Sequence, residues 1–99
     1  MSLDELRAQI DEIDAELLAL INRRARCVVE IGEIKRREKT AVVVPERERQ
    51  LFARLAELNE GPITEAMLCH VFQEIIDTLK ALQRPEAGGS KEIPERRVS

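Results

Sequence analysis

Residues 3–38 read LDELRAQIDEIDAELLALINRRARCVVEIGEIKRRE, with no proline and a single glycine, Gly32. Heptad spacing picks out Leu3, Leu6, Ile10, Ile13, Leu17, Leu20, Arg24, Cys27, Ile31 and Ile34. This is the seam of one long packed helix, with Arg24 as its polar interruption. Ser2 with Glu5 forms a capping box, in which each side chain satisfies the other's backbone N–H, so the helix is expected to start there. Nothing breaks the pattern before Lys39-Thr40. At 1.5 Å per residue such a helix spans about 54 Å. A compact domain of this size has a radius of gyration of only about 13 Å. The helix therefore overhangs its own domain and its apolar stripe needs a partner. A homodimer with interlocked long helices is the economical arrangement.

Outward from this helix, Thr40–Val44 is rich in β-branched residues, but no second strand exists to pair with it, and it is expected to be an extended linker. Pro45 suits a first helical turn. PERERQLFARLAELN then carries Leu51, Phe52, Leu55 and Leu58 on one face, and Asn59-Glu60-Gly61-Pro62 is a stop and turn. A third helix is expected from about Ile63 to Arg84, with Leu68, Val71, Phe72, Ile75, Ile76, Leu79 and Leu82 on its buried side. From Pro85 the chain has turn residues and charges without a period, which predicts a flexible tail. The expected architecture is all-α: a three-helix chain with a very long first helix, intertwined as a homodimer. Its domain covers residues 1–84 and its tail 85–99.

Composition narrows the function. Of 99 residues, 43% are apolar, 35% charged and 2% aromatic, so the core must come from aliphatic side chains. That is a small core for a monomer of this size. The net charge of -3 offers no basic field for nucleic acid. No apolar run approaches membrane-spanning length, and the N-terminus lacks a secretory pattern. Cys27 and Cys69 have neither metal-ligand nor redox spacing and read as buried thiols in a reducing cytoplasm. No Ser/His/Asp set, Gly-rich phosphate loop or metal cluster occurs, and His70 has no acidic or nucleophilic partner in view. Neither metal nor cofactor is expected.

Polar residues on apolar faces carry the remaining signal. Arg24 and Lys35 share one face, three turns and about 16 Å apart, with Val28 and Ile31 between them. Arg47 begins the apolar face of the second helix, beside Glu48. Gln83 continues the line of Phe72, Ile76 and Leu79. Arg7 lies seventeen residues before Arg24, about 25 Å along the axis, and can enter the same pocket only from an antiparallel partner. Taken singly, Arg24 reads as well as a buried ion pair or a register-setting charge as it does as a ligand site, and Gln83 as an exposed helix end. Taken together, they point to a cationic, partly apolar pocket between helices that suits a small dianion.

The segments LRAQIDEIDAELLALINRRARCVVEIGEIK, PERERQLFARL and VFQEIIDTLKALQ resemble, in order and spacing, the all-helical chorismate mutase family, the AroQ class. The resemblance covers residues 3–84. It implies an intertwined dimer of three-helix chains, with chorismate as the dianionic substrate and its intramolecular Claisen rearrangement to prephenate as the reaction, in phenylalanine and tyrosine biosynthesis. Carried over by position, Arg24 grips one carboxylate and Arg7 of the other subunit binds the second. Lys35 and Gln83 donate to the ether oxygen. Glu48 takes the substrate hydroxyl and Arg47 helps order the site. Lys35, Gln83 and Arg24 are thus the expected catalytic residues; Arg7, Arg24, Lys35, Arg47, Glu48 and Gln83 are the expected substrate-binding set. A cytoplasmic location and an association with another shikimate-pathway enzyme belong to the same picture.

Two positions depart from the family pattern: Val44 stands where Asp is common and Leu79 where Ser is common. Three alternatives share the fold. Isochorismate-pyruvate lyase is similar around Val44-Pro45-Glu46-Arg47, but Glu48 suits the hydroxyl of chorismate better. A 4-amino-4-deoxychorismate mutase would present an amine that also suits Glu48. A non-catalytic regulatory dimer has no need of Gln83 beside Lys35.

Overall fold

The computed structural model describes residues 1–39 and 45–83. The expected linker Thr40–Val44, and the tail 85–99 with Arg84 before it, lie outside the described residues. Three helices form: α1 (Leu3–Glu38), α2 (Pro45–Leu58) and α3 (Glu65–Lys80), the last followed by a 3-10 turn, Ala81–Gln83. The described residues contain no strand, and the all-helical expectation holds.

Each helix end has a local cause. Ser2 Oγ accepts from the Glu5 N–H at 3.1 Å, and Glu5 Oε1 accepts from the Ser2 N–H at 2.9 Å, completing the capping box. Asp4 and Glu5 in the first turn, and Lys35, Arg36 and Arg37 in the last, complement the helix dipole. Lys39 closes α1 in the left-handed region with φ 56°, its N–H directed to the carbonyls of Arg36 and Lys35. Asn59 organises the turn after α2: its Nδ2 donates to the Ile63 carbonyl at 3.0 Å, and its Oδ1 accepts from the Gly61 N–H at 2.9 Å. Gly61 sits at φ 78°, where a side chain would be strained. Thr64 Oγ1 accepts from the Met67 N–H at 3.1 Å, so α3 begins at Glu65, two residues later than periodicity suggests. At the far end the last turn tightens to 3-10 geometry instead of continuing as α-helix.

The core is small. Leu68, Ile76 and Leu79 of α3 are its buried apolar side chains, and Gly32 is the buried residue of α1. α3 and its 3-10 turn pack on α1, and α2 packs on α3. Val71 and Leu82, expected on the buried side, remain 50% and 45% exposed. The face of α3 that meets α1 is narrower than its apolar stripe. In the single chain Cys27 is exposed and Cys69 half-buried. Along the N-terminal half of α1, Leu3, Leu6, Ile10, Ile13, Leu17 and Leu20 stay 43–62% exposed. Among the described residues no other element is as long as α1, which spans 36 residues. Among the described residues no helix is long and apolar enough to cross a membrane.

Candidate functional site

The C-terminal half of α1, the start of α2 and the end of α3 enclose a cavity of about 180 Å³. α1 supplies Arg24, Val28, Ile31 and Lys35, a spacing that keeps all four on one helix face. α2 supplies Arg47, Glu48 and Leu51, and α3 supplies Ile76 and Lys80. The 3-10 turn supplies Gln83. Val28, Ile31, Leu51 and Ile76 make an apolar lining, and the polar groups stand around it. Five of the six residues singled out from sequence thus meet in one place. Arg7 does not: it is exposed, seventeen residues nearer the N-terminus of α1.

Electrostatics favour an anion in this space. Among the described residues that line it, Arg24, Lys35, Arg47 and Lys80 stand with one carboxylate, Glu48. Arg24 is half-buried and makes no ion pair with any described residue. A guanidinium kept partly from water without an acid beside it is a standing site for a carboxylate. Glu48 is engaged: its Oε2 lies 3.1 Å from Lys80 Nζ, a contact that joins α2 to α3. Among the described residues no group of acidic, His and Cys side chains could hold a metal ion.

Gln83 is held from three directions. Its Nε2 donates to the main-chain carbonyl of Val28 at 3.2 Å. Its own carbonyl accepts from Arg36 Nη1 at 3.5 Å. Its Cγ, Cβ and Cα lie 3.0, 3.1 and 3.2 Å from the point where a Cβ on Gly32 would stand. A glycine inside a helix costs about 1 kcal/mol relative to alanine; here it lets the 3-10 turn lie directly on α1. The Val28 carbonyl can only accept, so it selects the nitrogen end of the Gln83 amide. That nitrogen carries a second hydrogen, which the bond to Val28 does not use.

Sequence reasoning missed Lys80. It shares the α3 face of Ile76 and Gln83 at offsets of four and three, so helical spacing could have found it. The neighbouring Leu79 stands where the family pattern commonly has Ser. The structure buries Leu79 and turns it to a separate apolar recess with Ile21, Ile75 and Thr78.

Known proteins share this fold. The model of the chorismate mutase type II family matches residues 6–84. A bifunctional chorismate mutase/prephenate dehydratase of Aquifex aeolicus is 41% identical over 86 residues, which is 83% of this chain and 24% of that protein. The chain therefore spans about a quarter of the length of such bifunctional relatives. A chorismate mutase of Methanocaldococcus jannaschii is 36% identical over 83 residues, covering 83% of this chain and 84% of the relative. Among solved structures, a chorismate mutase of Thermus thermophilus superposes with a TM-score of 0.80 at 30% identity, over 82% of this chain and 92% of that one. The Helicobacter pylori chorismate mutase in complex with prephenate gives 0.77 at 26% identity, over 90% and 97%. With its three helices, its cationic cavity and these matches, the chain belongs to the chorismate mutase type II family.

Proposed function

We propose that this chain is a chorismate mutase, converting chorismate to prephenate in the cavity between α1, α2 and α3. The observation that carries the reading is the meeting of Arg24, Lys35 and Gln83 around one apolar-lined space. The reaction is an intramolecular rearrangement. A C–O bond breaks and a C–C bond forms within one molecule, so neither nucleophile nor general base is needed. What accelerates it is a compact substrate conformer and stabilisation of charge that builds on the ether oxygen.

Each residue then has a role. Arg24 binds one carboxylate of the dianion. Lys35 and the second N–H of the Gln83 amide donate to the ether oxygen as the bond breaks. Glu48 accepts from the ring hydroxyl, and Arg47 holds that end of the cavity cationic. These donors are set in place before substrate arrives, so they favour the transition state without reorganising. Arg7 supplies the second carboxylate contact from another copy of the chain. The long exposed seam of α1 supports such a homodimer, since an apolar stripe of this length is buried in stable proteins. Prephenate bound in the related Helicobacter pylori structure supports the product assignment. The fusion of relatives to prephenate dehydratase supports a place just before a prephenate-consuming enzyme in a cytoplasmic biosynthetic route, with association between the two.

The test is an assay of the purified chain, without added metal or cofactor, on chorismate, isochorismate and 4-amino-4-deoxychorismate side by side. Prephenate formed from chorismate, with chorismate the best of the three, is the expected result. No turnover of chorismate above the spontaneous rate sinks the proposal.

A further inference from the structure

Lys80 stands in the cavity wall with no role in the reaction as proposed. Its Nζ lies 3.1 Å from Glu48 Oε2 on α2 and 3.9 Å from Asp77 Oδ1 on α3. The side chains of Lys80 and Glu48 are 38% and 29% exposed, so the pair is neither buried nor fully screened. An ion pair this wet contributes little to stability. Its consequence lies in what else Glu48 can accept. A carboxylate has about four lone-pair sites and can serve Lys80 and a substrate donor together.

We propose that Lys80 is a specificity-determining residue: by occupying Glu48 it selects a hydroxyl over an ammonium at the substrate position facing that carboxylate. The inference rests on the assignment of Glu48 to the ring substituent. Alone, a half-buried carboxylate would prefer a cationic donor to a neutral one, because the charged hydrogen bond is the stronger. With Lys80 already on Oε2, an ammonium held by the same carboxylate would lie close to a second cation. Water in this partly exposed wall screens the repulsion between the two cations to about one to a few times thermal energy, which still disfavours the ammonium. A hydroxyl carries no such penalty. The other described cations of the lining agree: Arg24 and Arg47 add to Lys80, and such a wall suits a dianion better than a molecule whose charge is partly cancelled by its own ammonium. Lys80 touches no reacting bond in this scheme and acts through Glu48.

The experiment measures kcat/KM on chorismate and on 4-amino-4-deoxychorismate for the wild type, Lys80→Met, Lys80→Gln and Lys80→Arg, with helicity checked for each. In Lys80→Met and Lys80→Gln the preference for chorismate over the amine is expected to fall by about tenfold or more, mainly through a lower KM for the amine. Lys80→Arg keeps the charge and is expected to stay within about threefold of the wild-type ratio. A merely structural role would lower both substrates together and leave the ratio in place. If chorismate is turned over by the wild type and the ratio moves less than about twofold in both neutral variants, the inference about Lys80 is overturned while the site reading stands. If the wild type turns over neither substrate, the site reading itself fails and takes this inference with it.

Discussion

Gln83 donates its side-chain amide to the carbonyl of Val28 at 3.2 Å, joining the last described turn of the chain to the middle of its first helix. The contact fixes which end of the amide faces which way, because a main-chain carbonyl has nothing to donate. A carboxylate at position 83 would set two acceptors against each other there, and against the charge developing on the ether oxygen.

Gln83→Glu is therefore expected to work only when the new side chain is protonated and can donate. An unperturbed Glu has a pKa of about 4.3, and removal from water would raise it while nearby Lys35 would lower it. Activity should climb as pH falls through that range, while the wild type stays comparatively flat. Removing one such donor typically costs about 3–4 kcal/mol of transition-state stabilisation, so a loss of at least about a hundredfold is expected near neutral pH. The check is kcat/KM for chorismate against pH for both proteins, with folding verified at each point. A variant as active as wild type at pH 7.5 would remove Gln83 from the ether oxygen.

Gly32 separates helix propensity from site geometry. Alanine is the better helix former by about 1 kcal/mol, yet its Cβ would sit 3.0–3.2 Å from Gln83 Cγ, Cβ and Cα. The 3-10 turn must then give by a few tenths of an ångström. Gly32→Ala should leave helicity and thermal stability near wild type while kcat/KM drops about tenfold, since small displacements of a catalytic donor are costly. Calorimetry beside steady-state kinetics reads both. Unchanged kinetics would mean that the close approach does not position Gln83.

Arg7 is tested by mixing. Arg7→Ala and Arg24→Ala chains are each expected to be inactive alone. A heterodimer of the two restores one intact site, so statistical exchange should recover about a quarter of wild-type activity. Verified chain exchange with no recovery counts against a shared site.

A truncation tests the domain boundary expected from sequence. Among the described residues, those that line the cavity run from Arg24 to Gln83. Deletion from Glu86 onward is expected to leave turnover and dimerisation within about twofold of the full chain, since an aperiodic, polar terminus adds little burial. A large loss of activity would give residues 86–99 a part in the pocket.

Much of this protein was determined locally along the chain. The heptads of Leu3–Ile34, the Ser2/Glu5 box and the Asn59-to-Pro62 stop decide three helices by period and capping alone, because both act over a few residues. The same periodicity exposes Arg24, Lys35, Arg47 and Gln83 as polar residues on apolar faces. What only the tertiary structure decided is how those faces meet. Whether Leu79 or Lys80 turns to the cavity depends on a rotation of α3 of some 100°, one residue's worth of helix, set by packing on α1 and invisible to spacing. The close seat of Gln83 on Gly32, its bond to Val28 and the grip of Lys80 on Glu48 span 32 to 55 positions of sequence. Such contacts form when separate elements pack, and no local pattern encodes which partner each side chain finds.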